Sequence, residues 1–492
     1  MSTATEVNLQ SLLTSVKLGT ETTALAPVVS NHFSNINEGH SIEDRFATGL
    51  AALVLNADQT ESKLDKAAIQ SLVSRIDQLV SDQLDEILHN ETFKAVESAW
   101  TGIADLVRNT NFKANIQLSV LDVSKEEAFE DLELNFADIA GSAFFKKVYV
   151  SEYDQFGGHP FGGMIGLYDF ANTPNDLLLL QGFGKVATAS HAPFIGSASP
   201  KFFGCENYGE VAQLRDVAGL LNSPRYARWN QLRETEEAAY IALTLPRYLA
   251  RSPYNDESNP AYGVNYQETV RGDNENEYLW SNSSLLFARN MVRSFETSGW
   301  CQHIRGVKGG GRVTGLPVHA YNLRGEDEIR NPTEITIPDF RELEFANSGF
   351  VPLVQKKGSS EAVFFSAQSI KKSFKFSDAK DSENSQLVSN LSYTLSITRI
   401  AHYVKCIMRD NIGSTADAAY IQAQIEGWMN RYVTTLVNPD DLTLRYYPFK
   451  AFSLSVEPIA GKSGWYHASL SVLPHIQFEG MDVDLRVDAR LG

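Results

Sequence analysis

"MIGLYDFANTPNDLLLLQGFGKVATASHAPFIGSA", residues 164–198, decides the class of the fold. "MIGLYDF" has the composition of a strand. "PNDLLLLQGFGKVATAS" opens on Pro174, which suits the first turn of a helix. "HAPFIGSA" then reads as the next strand. Strand, helix and strand in succession predict an α/β unit with a partly parallel sheet. The alternation reaches back to "NIQLSVLDV" (115–123) and "FFKKVYV" (144–150), both read as strands, and forward to about residue 370.

Outside this unit the pattern changes. Residues 1–40 are rich in Ser, Thr and Asn without a sustained period, and read as a flexible arm. A helical region fills 41–110. In "KLDKAAIQSLVSRIDQLVSDQLDEILHN" the apolar residues Leu64, Ala68, Leu72, Ile76, Leu79 and Leu84 recur at helical spacing. Val96, Trp100, Ile103 and Leu106 share the face of a further helix. The polar, acidic stretch between Ser252 and Glu277 reads as a surface excursion. "SSLLFARNMVRSFETSG" reads as a helix that Gly299 caps. "KKSFKFSDAKDSENSQ" marks a change of composition at 371–386, so the α/β unit is placed at 111–375 and a carboxyl-terminal domain at 385–492.

That last domain opens with two helical stretches and ends in alternating segments. Phe452, Leu454 and Val456 oppose Ser453 and Ser455, while Tyr466, Ala468, Leu470 and Val472 oppose His467, Ser469 and Ser471. "MDVDLRVDARLG" repeats this with Val483, Leu485 and Val487. Strict alternation predicts a sheet with one buried and one wet face. The expected fold is therefore mixed α/β and α+β: a helical amino-terminal region, a central α/β domain, and helices on a β-sheet at the carboxyl end.

Composition removes several function classes. The chain has 492 residues, 43% hydrophobic and 21% charged, with a formal net charge of −17. That field repels polyanions, whose binding depends on neutralised phosphates, so neither nucleic acid nor an anionic membrane surface is an expected partner. No apolar run approaches the length of a membrane span, and the first residues lack the pattern of an export signal. Three scattered cysteines, Cys205, Cys301 and Cys406, suit reduced thiols better than a disulfide framework.

A search for chemistry finds near misses. In "IRGVKGGGRVTGLP" (304–317), Gly306 and Gly311 have phosphate-loop spacing, but Arg312 and Val313 stand where Lys and Ser or Thr are needed. Gly315 and Pro317 also argue against the helix such a loop must open. Gly461-Lys462-Ser463 lies between two alternating segments and reads as a hairpin turn. "FGGHPFGGMIG" lacks the dinucleotide pattern and reads as a wide turn. The ten histidines do not cluster, and His-Glu-x-x-His, Cys-x-x-Cys and Gly-x-Ser-x-Gly are all absent. Asp339, Glu342 and Glu344 fall on a short helix and are assigned mostly to a solvated face. No catalytic, cofactor or metal residue is nominated.

"SPRYARWNQLRETEEAAYIALTLPRYLARSPY", "FARNMVRSFETSGWCQHIRGVKGGGRVTGLPVHAY" and "PTEITIPDFRELEFANSGFVPL" together resemble the large subunit of the contractile sheath of bacterial type VI secretion systems, the VipB/TssC family. "FKAVESAWTGIADLV" and the carboxyl-terminal region share the likeness, which spans roughly residues 90 to 492.

The resemblance implies a structural protein of the bacterial cytoplasm. It implies a heterodimer with a small sheath subunit, stacking of heterodimers into a helical tube around an inner tube on a baseplate, and contraction that drives tube and spike outward. It implies too that a hexameric AAA+ ATPase disassembles the contracted sheath through the small subunit. Within that frame, Val483, Leu485 and Val487 are candidates for a strand shared between subunits. Leu72, Ile76 and Leu79 are candidates for the small-subunit contact, and Asp417, Glu426 and Arg431 for the face toward the inner tube. Gly309, Gly310 and Gly311 serve a tight turn or a close approach to another chain. The competing readings are a nucleotide-binding enzyme using the Gly306–Gly311 loop, and an adaptor that does not polymerise.

Overall fold

The computed structural model describes residues 66–475 apart from 273, 375, 437–438 and 463. The arm at 1–40 and the strand candidates Val483, Leu485 and Val487 lie outside the described residues. The chain forms two compact units. Of the described residues, one takes those from 66 to 96 with Ser252–Tyr278, and the other takes Glu97–Arg251 with those from 279 to 475.

The second unit is built on the decisive stretch. Strand β1 (Met164–Phe170), a helix over Pro174–Ser190 and strand β2 (Phe194–Ala198) follow one another as the sequence predicts. Thr173 caps the helix by accepting from the Asp176 amide, Pro174 occupies its first turn, and His191 ends it at a φ of 50°. β2 pairs in parallel with β1 and with β3 (Ile241–Leu245). Two short pieces, β4 (Tyr248–Leu249) and β5 (Trp280–Ser281), pair apart from the main sheet. The sheet continues with β6 (Arg312–Val313), β9 (Val351–Gln355) and β10 (Ala362–Phe364), in the order β1-β2-β3-β9-β10-β6. β3 and β9 are parallel, whereas β10 runs antiparallel to both of its neighbours. Between β6 and β9, an acidic hairpin of β7 (His319–Leu323) and β8 (Glu326–Arg330) stands by itself.

Both faces of this sheet are covered, and every residue of β2 and β3 is buried. Phe194, Ile241, Leu243 and Val354 join the core beneath the Pro174–Ser190 helix. Their neighbours Ile195, Ala242 and Leu353 join a second core with Leu286 and Phe287 of the Ser284–Ser298 helix. Adjacent residues thus feed opposite cores, the period-two signature of a strand. Phe183 stacks on Phe194 at 4.3 Å between ring centroids and is met edge-on by Phe144. Removing that side chain costs about 3–5 kcal/mol.

A third core holds the carboxyl-terminal region. β11 (Phe449–Pro458) and β12 (Tyr466–Pro474) form a hairpin with Ser453 opposite Ser471 and Leu454 opposite Leu470. Its apolar face packs on Ile421, Ile425 and Met429 of the helix Ala418–Met429 and on Ile400 of the helix Leu391–Asp410, and its serines are exposed. The turn passes through Gly461 and Gly464 at φ near +80°, so Gly461 and Lys462 lie in a hairpin turn.

Two strand expectations are corrected. "FFKKVYV" is helical, with a π-helix over Lys146–Tyr153. Phe145, Tyr149 and Tyr153 stack at four-residue spacing, and this helical stripe extends beyond the short β-rich window. "NIQLSVLDV" runs without turn or bend from Ile116 to Val123 but joins no sheet among the described residues.

Candidate assembly surfaces

The glycine stretch resolves into a backbone junction. Gly306 donates to the Phe364 carbonyl at 2.7 Å, Gly311 donates to the Gly306 carbonyl at 2.8 Å, and Phe364 donates back to Gly311 at 3.0 Å. Gly310 stands at a φ of 100°, and a Cβ on it would collide with the His303 carbonyl. A Cβ on Gly311 would collide with the Phe364 carbonyl and the Arg305 backbone. Arg293 secures the loop from the neighbouring helix, donating to the carbonyls of Gly310 and Arg312, both at 2.6 Å. Asn290, fully buried, donates to Gly311 at 3.1 Å. A phosphate loop needs free amides and a following helix. Here the Gly306 and Gly311 amides bond within the chain, and strand β6 follows.

The polar side chains at the carboxyl ends of the parallel strands, where α/β enzymes place their chemistry, bond to one another. Ser197 and Thr244 are 2.7 Å apart and Ser283 donates to Thr244 at 3.0 Å, all three buried. Arg247 makes a two-pronged pair with Glu334, both contacts at 2.8 Å. Among the described residues no group of three or more His, Cys, Asp or Glu is arranged to hold a metal ion. No described helix is long and apolar enough to cross a membrane. The short acidic helix, Asp339–Asn347, departs from its expected solvated face. Glu342 is buried, chiefly desolvation raises its pKa, and Glu344 accepts from the Val217 amide and pairs with Arg341. Asp339 is exposed as expected, but so are the apolar residues Phe340 and Leu343. The helix has turned because Phe345 and Ala346 claim the core side, which carries Arg341 and Glu342 inward with them.

The candidate assembly residues occupy different surroundings. In the first unit, Ile76 and Leu79 lie on the helix Lys66–Leu88 at 40% and 37% exposure, beside the equally open Val73 and Val80. The side chain of Leu72 is outside what the structure describes. The excursion after Ser252 belongs to this unit, where Tyr266 donates to Asp85 at 2.6 Å and Glu268 meets His89 at 3.3 Å. Of the face read as Val96, Trp100, Ile103 and Leu106, only Leu106 is buried, and Trp100 is 62% exposed. Asp417 is exposed and caps the helix Ala418–Met429, accepting from the Tyr420 amide at 2.8 Å. Arg431 is exposed, while Glu426 is half-buried and accepts from Gln422.

Sequence reasoning missed one further feature. A cavity of about 570 Å3 opens between the unpaired stretch Asn115–Ser119, the approach to β1, and the helices Ser284–Ser298 and Leu391–Asp410. The apolar alternation of "NIQLSVLDV" was the available signal, but that pattern cannot show that a strand lacks its partner.

Comparison with known proteins gives two family matches along the chain. Residues 70–371 match a family model described as EvpB/VC_A0108, tail sheath N-terminal domain. Residues 380–491 match EvpB/VC_A0108, tail sheath gpW/gp25-like domain. The type VI secretion system sheath protein TssC1 of Pseudomonas aeruginosa is 38% identical over 427 residues, 86% of each chain. Among solved structures, the anti-feeding prophage baseplate gives a TM-score of 0.38 at 10% identity, over 76% of this chain and 84% of that one. The contracted sheath of the same particle gives 0.31 at 9%, over 63% and 67%. At those scores the structural likeness adds nothing to the family matches.

Proposed function

This chain belongs to the type VI secretion tail-sheath family, and from that premise we propose how its surfaces build and work the sheath. It is a structural subunit of a contractile sheath. The observation that carries this is the pair of tail-sheath matches, together with a sheath relative 38% identical over 86% of the chain.

The finer reading assigns partners to surfaces. The chain pairs with a small sheath subunit in the bacterial cytoplasm, and the pairs polymerise around an inner tube on a baseplate. An AAA+ ATPase acting through the small subunit recovers the contracted form, so the nucleotide chemistry lies with that partner and this chain catalyses nothing. The exposure of Ile76 and Leu79 supports a small-subunit contact, because apolar area left in water gains about 25 cal/mol per Å2 when a partner covers it. The open, charged positions Asp417 and Arg431 suit the inner-tube face, and Glu426 less so. Val483, Leu485 and Val487 continue the alternation of β11 and β12 and suit a strand lent to a neighbouring subunit. The composition change at 371–386 suits the boundary between the central and carboxyl-terminal domains, and the two family matches leave a gap there.

Contraction then needs rigid bodies that shift without separating. Backbone hydrogen bonds of a lent strand persist while its linker bends, and repetition along the polymer multiplies a small gain per subunit into a stroke. Charge reversal at Asp417 and Arg431 is expected to lower the yield of sheath assembled on inner tube, scored by sedimentation. An unaltered yield removes these residues from the inner-tube face.

A further inference from the structure

The glycine junction sits among cations on an acidic chain. Arg293 and Arg289 reach it from the helix Ser284–Ser298, Arg293 at the carbonyls of Gly310 and Arg312 and Arg289 at that of Thr314, 3.2 Å away. Arg445, on the short helix Asp441–Tyr446, donates to the Lys308 carbonyl at 2.8 Å. Burial first, and then the charges of Arg289, Arg445 and Arg312, lower the pKa of Arg293, as crowding of like charges requires.

Carboxylates answer only part of this charge. Asp105 stands 3.5 Å from Arg289 and Asp441 3.0 Å from Arg445, and Glu361 pairs with Arg312. Arg293 and Lys308 have no carboxylate partner among the described residues. Lys308 is exposed, as are Val307 beside it and Leu442 one turn before Arg445. Arginines interleaved with open apolar side chains have the composition of a protein interface.

The chain's only run of three consecutive carboxylates is Glu326, Asp327 and Glu328. All three are exposed on β8, in the hairpin that forms a sheet of its own. Tyr321 donates to Glu328 and Asn322 to Asp327, both at 3.0 Å, but no cation pairs with any of the three among the described residues. Glu326 and Glu328, two residues apart on a strand, share one face.

We propose that the cationic surface around Lys308 receives the β7–β8 hairpin of a second copy of this chain, with Glu326 and Glu328 against Lys308 and the neighbouring arginines. This deepens the sheath reading and rests on it. A sheath is a polymer of like subunits, and copies with a net charge of −17 repel one another unless a cationic surface of one meets carboxylates of the next. The two surfaces are different parts of the chain, so the contact runs head to tail. Such contacts propagate into an open helix, whereas a self-complementary patch closes into a dimer.

Tube assembly by this chain co-expressed with its small subunit tests the proposal. Lys308→Glu, and separately Glu326→Lys with Glu328→Lys, are each expected to lower tube yield at least about tenfold while the heterodimer still forms. All three changes together are expected to return the yield to within about threefold of the unaltered pair. An unchanged yield after either reversal, or no recovery on combining them, overturns the contact. Carbodiimide coupling of lysine to carboxylate in unaltered tubes removes any dependence on how a variant folds. It is expected to join Lys308 to the 326–328 run in a product of two chains' mass, and other coupled pairs without that one overturn the proposal. Failure of the unaltered proteins to form tubes refutes the sheath reading itself, whereas tubes indifferent to both reversals refute only this inference.

Discussion

Gly310 and Gly311 stand where any side chain meets a backbone carbonyl, and this explains the triplet without a ligand. Gly310→Ala adds a positive-φ strain to that collision, so the variant is expected to lose about 1–3 kcal/mol in chemical denaturation, with no nucleotide affinity to lose. An unchanged midpoint contradicts the junction. A second residue-scale effect comes from two histidines that sequence could not single out, since their surroundings are distant in the chain. Burial pushes the His303 and His402 rings down to about 4, although His402 contacts the Ser190 carbonyl at 2.9 Å. The unfolded chain takes up these protons near pH 6.5, and the fold resists them until about pH 4. Stability from both is therefore full above pH 6.5 and is lost as pH falls toward 4, by on the order of 3 kcal/mol per ring at most. The double variant His303→Gln with His402→Gln is expected to show a smaller fall in melting temperature between pH 7 and pH 5; an equal fall refutes the assignment.

At the scale of elements, the helix Lys66–Leu88 keeps Ile76 and Leu79 over one third exposed, so Ile76→Asp with Leu79→Asp is not expected to unfold it. The pair of changes is expected to abolish co-purification of the small subunit, and wild-type recovery contradicts the assigned contact. Elements whose side chains alternate strictly, or that carry a proline start, were readable from their own residues: β11, β12 and the helix Pro174–Ser190 have the bounds their patterns suggest. "FFKKVYV" was misread because β-forming residues filled the window while its helical stripe of aromatics ran past it to Tyr153. "NIQLSVLDV" shows another limit, for alternation reports which side faces a core and not whether a ladder forms. Glu342 shows a third: on a short helix, Phe345 and Ala346 decide which flank is buried.

For the whole molecule, polymerisation has to use surfaces that the single chain leaves open. The exposed serines of the hairpin and the alternating residues beyond it suit a sheet continued across subunits. Removing residues 481–492 is expected to leave the heterodimer intact and to prevent long tubes, as judged by size-exclusion chromatography and microscopy together. Normal tubes exclude the lent strand. The sheath family was legible in long blocks of sequence, whereas the surfaces that assemble it depend on what the folded chain leaves uncovered. The central claim is tested most directly by negative-stain microscopy of this chain co-expressed with its small subunit. Long tubes with cogwheel cross-sections are the predicted result, and a field of small particles alone would contradict it.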